Sequence, residues 1–213
     1  MSRKETEESK SPQERRREEE RDRRRQAILR AALSLFARNG YSETTLTEIA
    51  AKARLGKTTL YYYFPDKASI FWTIYTEETT RYYRDIAEHI MRIEDPMEIA
   101  RRYILEYIEY GYRNTDFLRL IFPVGKSSPM GSEAHQQHME EVDQVRRPLD
   151  IHLNQVLEQT NSPISGEELN ELLWTFLSGL SVKIIQGYAK EDVLHEADML
   201  LSMLTLKLQG AKE

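Results

Sequence analysis

Gly40-Tyr41, then Thr44-Thr45-Leu46-Thr47-Glu48-Ile49-Ala50, then Ala53, then Lys57-Thr58-Thr59-Leu60-Tyr61-Tyr62-Tyr63-Phe64-Pro65-Asp66-Lys67: this stretch decides how the 213 residues are read. Thr45-x-x-Glu48 has the spacing of a capping box, in which the Thr hydroxyl accepts from the Glu amide and the Glu side chain reaches back. A helix therefore starts at Leu46 and runs through Ile49, Ala50 and Ala53. Arg54-Leu55-Gly56 breaks it, and a further helix is expected from Lys57 to Phe64. Pro65 stops that helix because its ring excludes a preceding helical residue. Upstream, Ile28, Leu29, Ala32, Leu35 and Phe36 fall on one face of a helix that Asn39-Gly40 ends. Three short helices, the last two joined by a three-residue turn, form a helix-turn-helix unit. Leu46, Ile49, Ala50, Leu55 and Leu60 would supply its small core, with Ala50 and Ala53 allowing close approach.

The outward residues Lys57, Thr58, Thr59, Tyr61 and Tyr62 can donate hydrogen bonds to phosphates or base edges. Free N–H groups at two helix starts add to this. The same motif, over roughly residues 26–72, resembles the DNA-binding signature of the tetracycline-repressor (TetR) family, most specifically in its Leu-Tyr-x-Tyr-Phe-x-x-Lys ending. The resemblance implies roles by position. Thr45 would cap the second helix beside a phosphate and Thr47 would touch the backbone. Lys57, Thr58 and Tyr62 would face the major groove, Tyr61 would place its hydroxyl on a phosphate, and Lys67 would add a phosphate contact. Phe64 reads as core. The chain departs from the family where Gly and a Ser or Thr cap are usual: it has Arg54 and Gly56. Arg54 there carries a steric cost if the turn keeps φ > 0, and would be an extra phosphate contact.

Charge is divided to match. Residues 1–71 carry 16 Lys/Arg against 11 Asp/Glu, and residues 72–213 carry 14 against 24. A basic first third on an acidic body suits a protein that offers one end to a polyanion. Residues 1–25 alternate Arg with Glu and have almost no apolar side chain, so a charged arm, partly disordered and helical towards residue 24, is expected. It is either a solvated tail or a basic arm on DNA. No cysteine is present, which excludes disulfides, thiolate metal sites and a cysteine nucleophile. No apolar run is long enough for a membrane span, and the N-terminus lacks an apolar signal core, which favours the cytoplasm.

The rest of the chain reads as helices, giving an all-α fold: an arm (1–25), a helix-turn-helix domain (26–71) and a helical ligand-binding and dimerisation domain (72–213). Helices are expected over about 67–93, 96–112, 116–122, 132–158 (bent at Pro148), 166–188 and 191–208, with the longest loop at Gly125–Gly131. The resemblance implies that the last two helices pair with a second copy. Leu169, Leu172, Leu173, Phe176, Leu177, Leu180, Ile184 and Ile185, and then Val193, Ala197, Leu200, Leu201, Leu204 and Leu208, follow helical spacing. Ordinary intrachain core is the alternative for these residues. A homodimer through residues 166–208 would present two reading heads one DNA turn apart.

An effector cavity would lie among the central helices. Candidate lining residues are Tyr75, Tyr103, Tyr107, Tyr110, Phe117, Phe122 and Trp174, together with Trp72 and Tyr82. Their rings and hydroxyls suit an apolar or aromatic ligand; an aromatic stripe at helical spacing is also what a core looks like. His135 and His138, beside Glu133 and Glu141, have metal-ligand spacing, but exposed polar residues explain them better. No phosphate loop, catalytic elbow or cofactor motif is found. The expectation is a non-enzymatic, cofactor-free, ligand-responsive repressor that binds a palindromic DNA operator. Two alternatives stay open. One is a DNA-binding protein controlled by a protein partner or acting in chromosome organisation. The other is a helical interaction module or enzyme that does not bind DNA.

Overall fold

The computed structural model describes residues 11–122, 133–160, 162 and 164–209, and at 133–135, 137 and 207–209 the backbone only. The loop expected at Gly125–Gly131 lies outside the described residues. Within them the chain forms nine helices and no strand: α1 Pro12–Asn39, α2 Leu46–Lys52, α3 Lys57–Tyr63, α4 Lys67–Ile90, α5 Pro96–Arg113, α6 Thr115–Ile121, α7 Glu133–Gln159, α8 Gly166–Gln186 and α9 Lys190–Gln209.

Helix ends follow local chemistry. Ser11/Glu14, Thr45/Glu48, Asp66/Ser69 and Ser165/Glu168 each close a reciprocal capping box. Asp95 accepts from the amides of Met97 and Glu98 and opens α5 at Pro96. Gly187 ends α8 at φ 85°, a left-handed conformation that an L side chain adopts only at a cost. Pro148 sits inside α7 without ending it.

The helix expected to set in near residue 24 begins at Pro12, so residues 12–25 belong to α1. Two features extend that helix. Ser11-Pro12-x-Glu14 supplies a cap with proline at the first position, and Glu20 bridges Arg24 at 2.7 Å and Arg23 at 3.7 Å. Residues 11–19 and 21–24 are nonetheless exposed. The extension lies on no hydrophobic face, so capping and i,i+4 pairs worth about 0.2–0.5 kcal/mol each act without burial.

Two cores organise the chain. The first joins Ile28, Ala32 and Phe36 of α1, Ile49 of α2, Leu60 of α3 and Ile70, Phe71 and Trp72 of α4. Fully burying an aromatic or branched side chain of this size contributes about 1.5–3 kcal/mol. Phe117 and Leu120 of α6 belong to this core too. The second core is built from the later part of α4 with α5, α7, α8 and α9. The boundary drawn at 71/72 therefore falls inside α4, whose first turns serve one core and whose later turns serve the other.

Candidate nucleic-acid interface and effector cavity

The helix-turn-helix is assembled from its turn outward. The Ala53 amide donates to the Ile49 carbonyl and the Leu55 amide to the Ala50 carbonyl, closing α2. Between them Arg54 takes φ 57°, the one described non-glycine residue at positive φ. Gly56 caps α3 without a side-chain hydrogen bond. The amides at the start of α3 therefore lack a side-chain partner, and Thr58 and Lys57 beside them are exposed. Leu60 points inward and is fully buried, which turns the opposite face of α3 outward.

Thr45, Thr47, Arg54, Lys57, Thr58, Tyr61 and Tyr62 are exposed and Thr59 is half-buried. Tyr62 is 73% exposed, a costly position for a large ring. Its neighbour Tyr63 meets it edge-on at 5.3 Å and packs towards the core. The Thr45 hydroxyl accepts from the Glu48 amide at 3.2 Å and donates to the Glu48 carboxylate at 2.8 Å. Phe64 is buried, as its reading as core requires.

Lys67 is corrected. Its Nζ donates to the carbonyls of Tyr41 (2.7 Å), Ser42 (3.1 Å) and Thr44 (2.8 Å). An ammonium has three donors, so none is left for a phosphate. It also stands 4.5 Å from the centre of the Tyr41 ring. Thr44, buried and not singled out in the sequence, donates from its hydroxyl to the Gly40 carbonyl at 2.8 Å. Together Lys67 and Thr44 fix the 40–45 connection, and with it the entry angle of α2.

A second feature lies between the helices of the C-terminal body. A cavity of about 230 Å³ is walled by α4, α5, α6, α7 and α8. Of the sequence candidates, Tyr75, Tyr103, Tyr107, Tyr110, Phe117 and Trp174 line it, as does Tyr82. Trp174 is 52% exposed and so stands at its rim. Phe122 does not line it, but packs on Trp174 at 6.0 Å. Trp72 does not line it either. It is fully buried in the first core, stacked at 5.6 Å and 9° on His138, whose Nδ1 meets the Thr76 hydroxyl at 2.8 Å. His138 is thus a half-buried packing residue rather than an exposed one. The side chain of His135 lies outside the described residues.

Sequence reasoning missed the polar part of the wall: Asp143 and Arg146 on α7 and Asn170 on α8. Arg146 bridges Asp143 Oδ1 at 3.1 Å and Asp150 Oδ2 at 2.8 Å. Burial works against its charge, but the two aspartates outweigh burial and raise its pKa. Burial also raises the pKa of Asp150. An Asp-x-x-Arg-x-x-x-Asp spacing on a helix was the available signal, since i,i+3 and i,i+4 side chains meet. The Tyr107 hydroxyl bonds Ser181 Oγ at 2.7 Å and the Tyr110 hydroxyl donates to Glu78 at 3.3 Å. Burial pushes the Tyr83 and Tyr107 hydroxyls up to about 12 and raises those of Tyr82 and Tyr103 well above their usual value. All four are neutral phenols at neutral pH. The Tyr82 hydroxyl is sealed from solvent without a well-formed hydrogen bond.

The cavity and the reading head share parts. Three residues separate α3 from α4, which carries Tyr75, Thr79, Tyr82 and Tyr83 into the cavity wall. Phe117 faces the cavity and belongs to the first core. Arg25 of α1 bridges Glu77 of α4 at 2.5 Å and lies 5.9 Å from the Phe64 ring that closes α3.

These features define a helix-turn-helix protein with an all-α body around a cavity. Residues 28–72 match the family described as bacterial regulatory proteins, tetR family. That match covers the helix-turn-helix unit and the first residues of α4. It is similar to the HTH-type transcriptional regulator AcrR of Shigella flexneri, with 31% identity over 86 residues, 40% of each chain. It is also similar to the HTH-type regulator YuxN of Bacillus subtilis, 27% over 109 residues, covering 51% of this chain and 37% of that one. The matches thus span about two-fifths of the length of these curated relatives. Among solved structures, the transcriptional regulator FadR from Bacillus subtilis in complex with stearoyl-CoA aligns over 87% of this chain and 98% of its own, with TM-score 0.66 and 16% identity. At that identity the likeness establishes the fold. No described helix is long and apolar enough to cross a membrane.

Proposed function

We propose that this chain is a ligand-responsive, sequence-specific DNA-binding transcription regulator, a repressor that acts in the cytoplasm by binding and not by catalysis. One observation carries the proposal: the cavity is walled by α4, the helix that continues from the recognition helix α3. A ligand that favours one tilt of α4 shifts the population of reading-head positions, by no more than its differential affinity for the two forms. The DNA face consists of Thr45, Thr47, Arg54, Lys57, Thr58, Thr59, Tyr61 and Tyr62, without Lys67. Binding of an operator with two half-sites needs two copies. The surface for pairing is the outer face of α8 and α9, where Leu172, Met199, Met203 and Leu206 are exposed. Most residues with the expected dimer spacing, among them Leu169, Leu173, Leu177, Val193, Ala197 and Leu201, are instead buried in this chain's own core. A DNA-binding protein without an effector needs no such cavity, which favours the ligand-responsive reading.

The test is a pull-down of genomic fragments by the purified protein, followed by titration of a recovered inverted repeat. Recovery of a discrete palindrome is the expected result; equal recovery of all sequences would remove the operator claim. In the same assay Tyr107→Ala should blunt ligand-driven release while changing ligand-free DNA affinity by less than about twofold. Phe117→Ala should disturb both, because Phe117 also packs in the first core.

A further inference from the structure

The cavity differs from a plain apolar pocket in one respect. Six tyrosines (Tyr75, Tyr82, Tyr83, Tyr103, Tyr107 and Tyr110) stand in its walls, and among the described residues its only charged lining residues are Asp143 and Arg146. Tyr82 stands at the centre of the rings, with Tyr110 at 4.9 Å, Tyr107 at 5.9 Å and Tyr103 at 6.3 Å. The face of an aromatic ring carries negative electrostatic potential and attracts cations.

The charged residues settle the sign. Arg146 is held on both sides, by Asp143 and by Asp150. One cation between two carboxylates leaves a net charge of about minus one at this wall. An anionic ligand could reach Arg146 only by lying against Asp143 and the ring faces, beside a guanidinium already neutralised by two carboxylates. A cation meets no such conflict. Asp143 uses Oδ1 on Arg146, and among the described residues its Oδ2 has no partner. The Asp143 side chain keeps 42% of its surface accessible. Glu78, which receives the Tyr110 hydroxyl, is a further acidic group behind the rings, paired with Arg81 on the outside. The Tyr82 hydroxyl adds a buried polar atom without a well-formed hydrogen bond.

We infer that the effector is a small organic cation, an amine or quaternary ammonium on an apolar or aromatic body. Its charged head lies against the tyrosine rings with Asp143 as counter-ion. The inference rests on the proposal that this cavity is the effector site, and it commits Asp143 to recognition and Arg146 to holding Asp143 in place.

Three probes of similar size separate the possibilities by calorimetric titration of the full-length protein: phenyltrimethylammonium, its uncharged isostere tert-butylbenzene, and 3-phenylpropionate. The cation should bind about tenfold or more tighter than either of the others. Asp143→Asn should cancel most of that advantage and leave the uncharged probe within about twofold. Tightest binding of 3-phenylpropionate, or a cation affinity unchanged in Asp143→Asn, overturns the cationic assignment and leaves the cavity as an effector site. Failure of all three to bind overturns the effector site itself. Operator release is read separately: a cation that binds through Asp143 but leaves DNA bound upholds the ligand class and rejects the regulatory reading.

Discussion

Lys67 shows how one side chain can look like a ligand contact and be a strut. The motif places a lysine at the start of α4, near the surface that would meet DNA. Its three donors all end on carbonyls of the 40–45 connection. Partial burial lowers its pKa, although Glu43 and Glu48 favour its charge. Replacing it with methionine keeps the stem and orphans three carbonyls. Lys67→Met should lower stability by about 1–3 kcal/mol, measured by urea unfolding. The slope of log affinity against log salt should stay the same, because no phosphate contact is lost. Lys57→Ala should do the reverse, with stability within about 0.5 kcal/mol and a slope shallower by about 0.9. If Lys67→Met flattens the salt slope as Lys57→Ala does, the strut assignment is wrong.

At the scale of the element, start and stop chemistry made most helices legible. Thr45-x-x-Glu48, Asn39-Gly40, Pro65-Asp66 and Pro96 each satisfy or remove particular backbone groups, so the residues alone locate the ends. The start of α1 is not legible because Ser11-Pro12-x-Glu14 precedes no apolar run, and apolar spacing is what marks a helix in a sequence. The cavity was half legible for a similar reason. Aromatic side chains stand out in a sequence, whereas the Asp143–Arg146–Asp150 cluster looks like any charged helix face until α7 is packed against α4. Trp72 and Tyr82 lie ten residues apart on one helix, yet only packing decides that the first enters the core and the second the cavity wall. The α2 cap also has a testable pH dependence. The Thr45 amide and hydroxyl hold the Glu48 carboxyl below its ordinary value of 4.5. A carboxyl with a depressed folded pKa contributes stability above its unfolded pKa and loses it as pH falls through the folded one. The stability gap between the native chain and Glu48→Gln should therefore be full at neutral pH and shrink below 4.5. Unfolding curves across that range check it, and a gap independent of pH would assign the box to hydrogen-bond geometry rather than charge.

For the whole molecule, two cores share α4, with Tyr75, Tyr110 and Ile121 packed against both, while the outer face of α8 and α9 stays unburied. Met203 is 68% exposed and Leu206 73%, one turn apart on α9, with Met199 a turn before and Leu172 exposed on α8. Apolar side chains in such a stripe cost solvation in a monomer and gain it back when covered. Gly179 lies on the same helix as Leu172, and a Cβ added there meets nothing within 4 Å, so the chain itself does not use that space. A second copy laid against this face by a two-fold axis buries each stripe against its mate. Met203→Glu with Leu206→Glu places four like charges in that interface across the dimer. Neither residue belongs to the chain's own core, so helicity by circular dichroism should be unchanged. Sedimentation should show a monomer, and operator affinity should fall by about 100-fold or more, since each half-site then binds without the other. Half-site affinity should persist, because the reading head is untouched. A double variant that stays dimeric would move the interface off this face, and one that is monomeric with full operator affinity would separate DNA recognition from pairing.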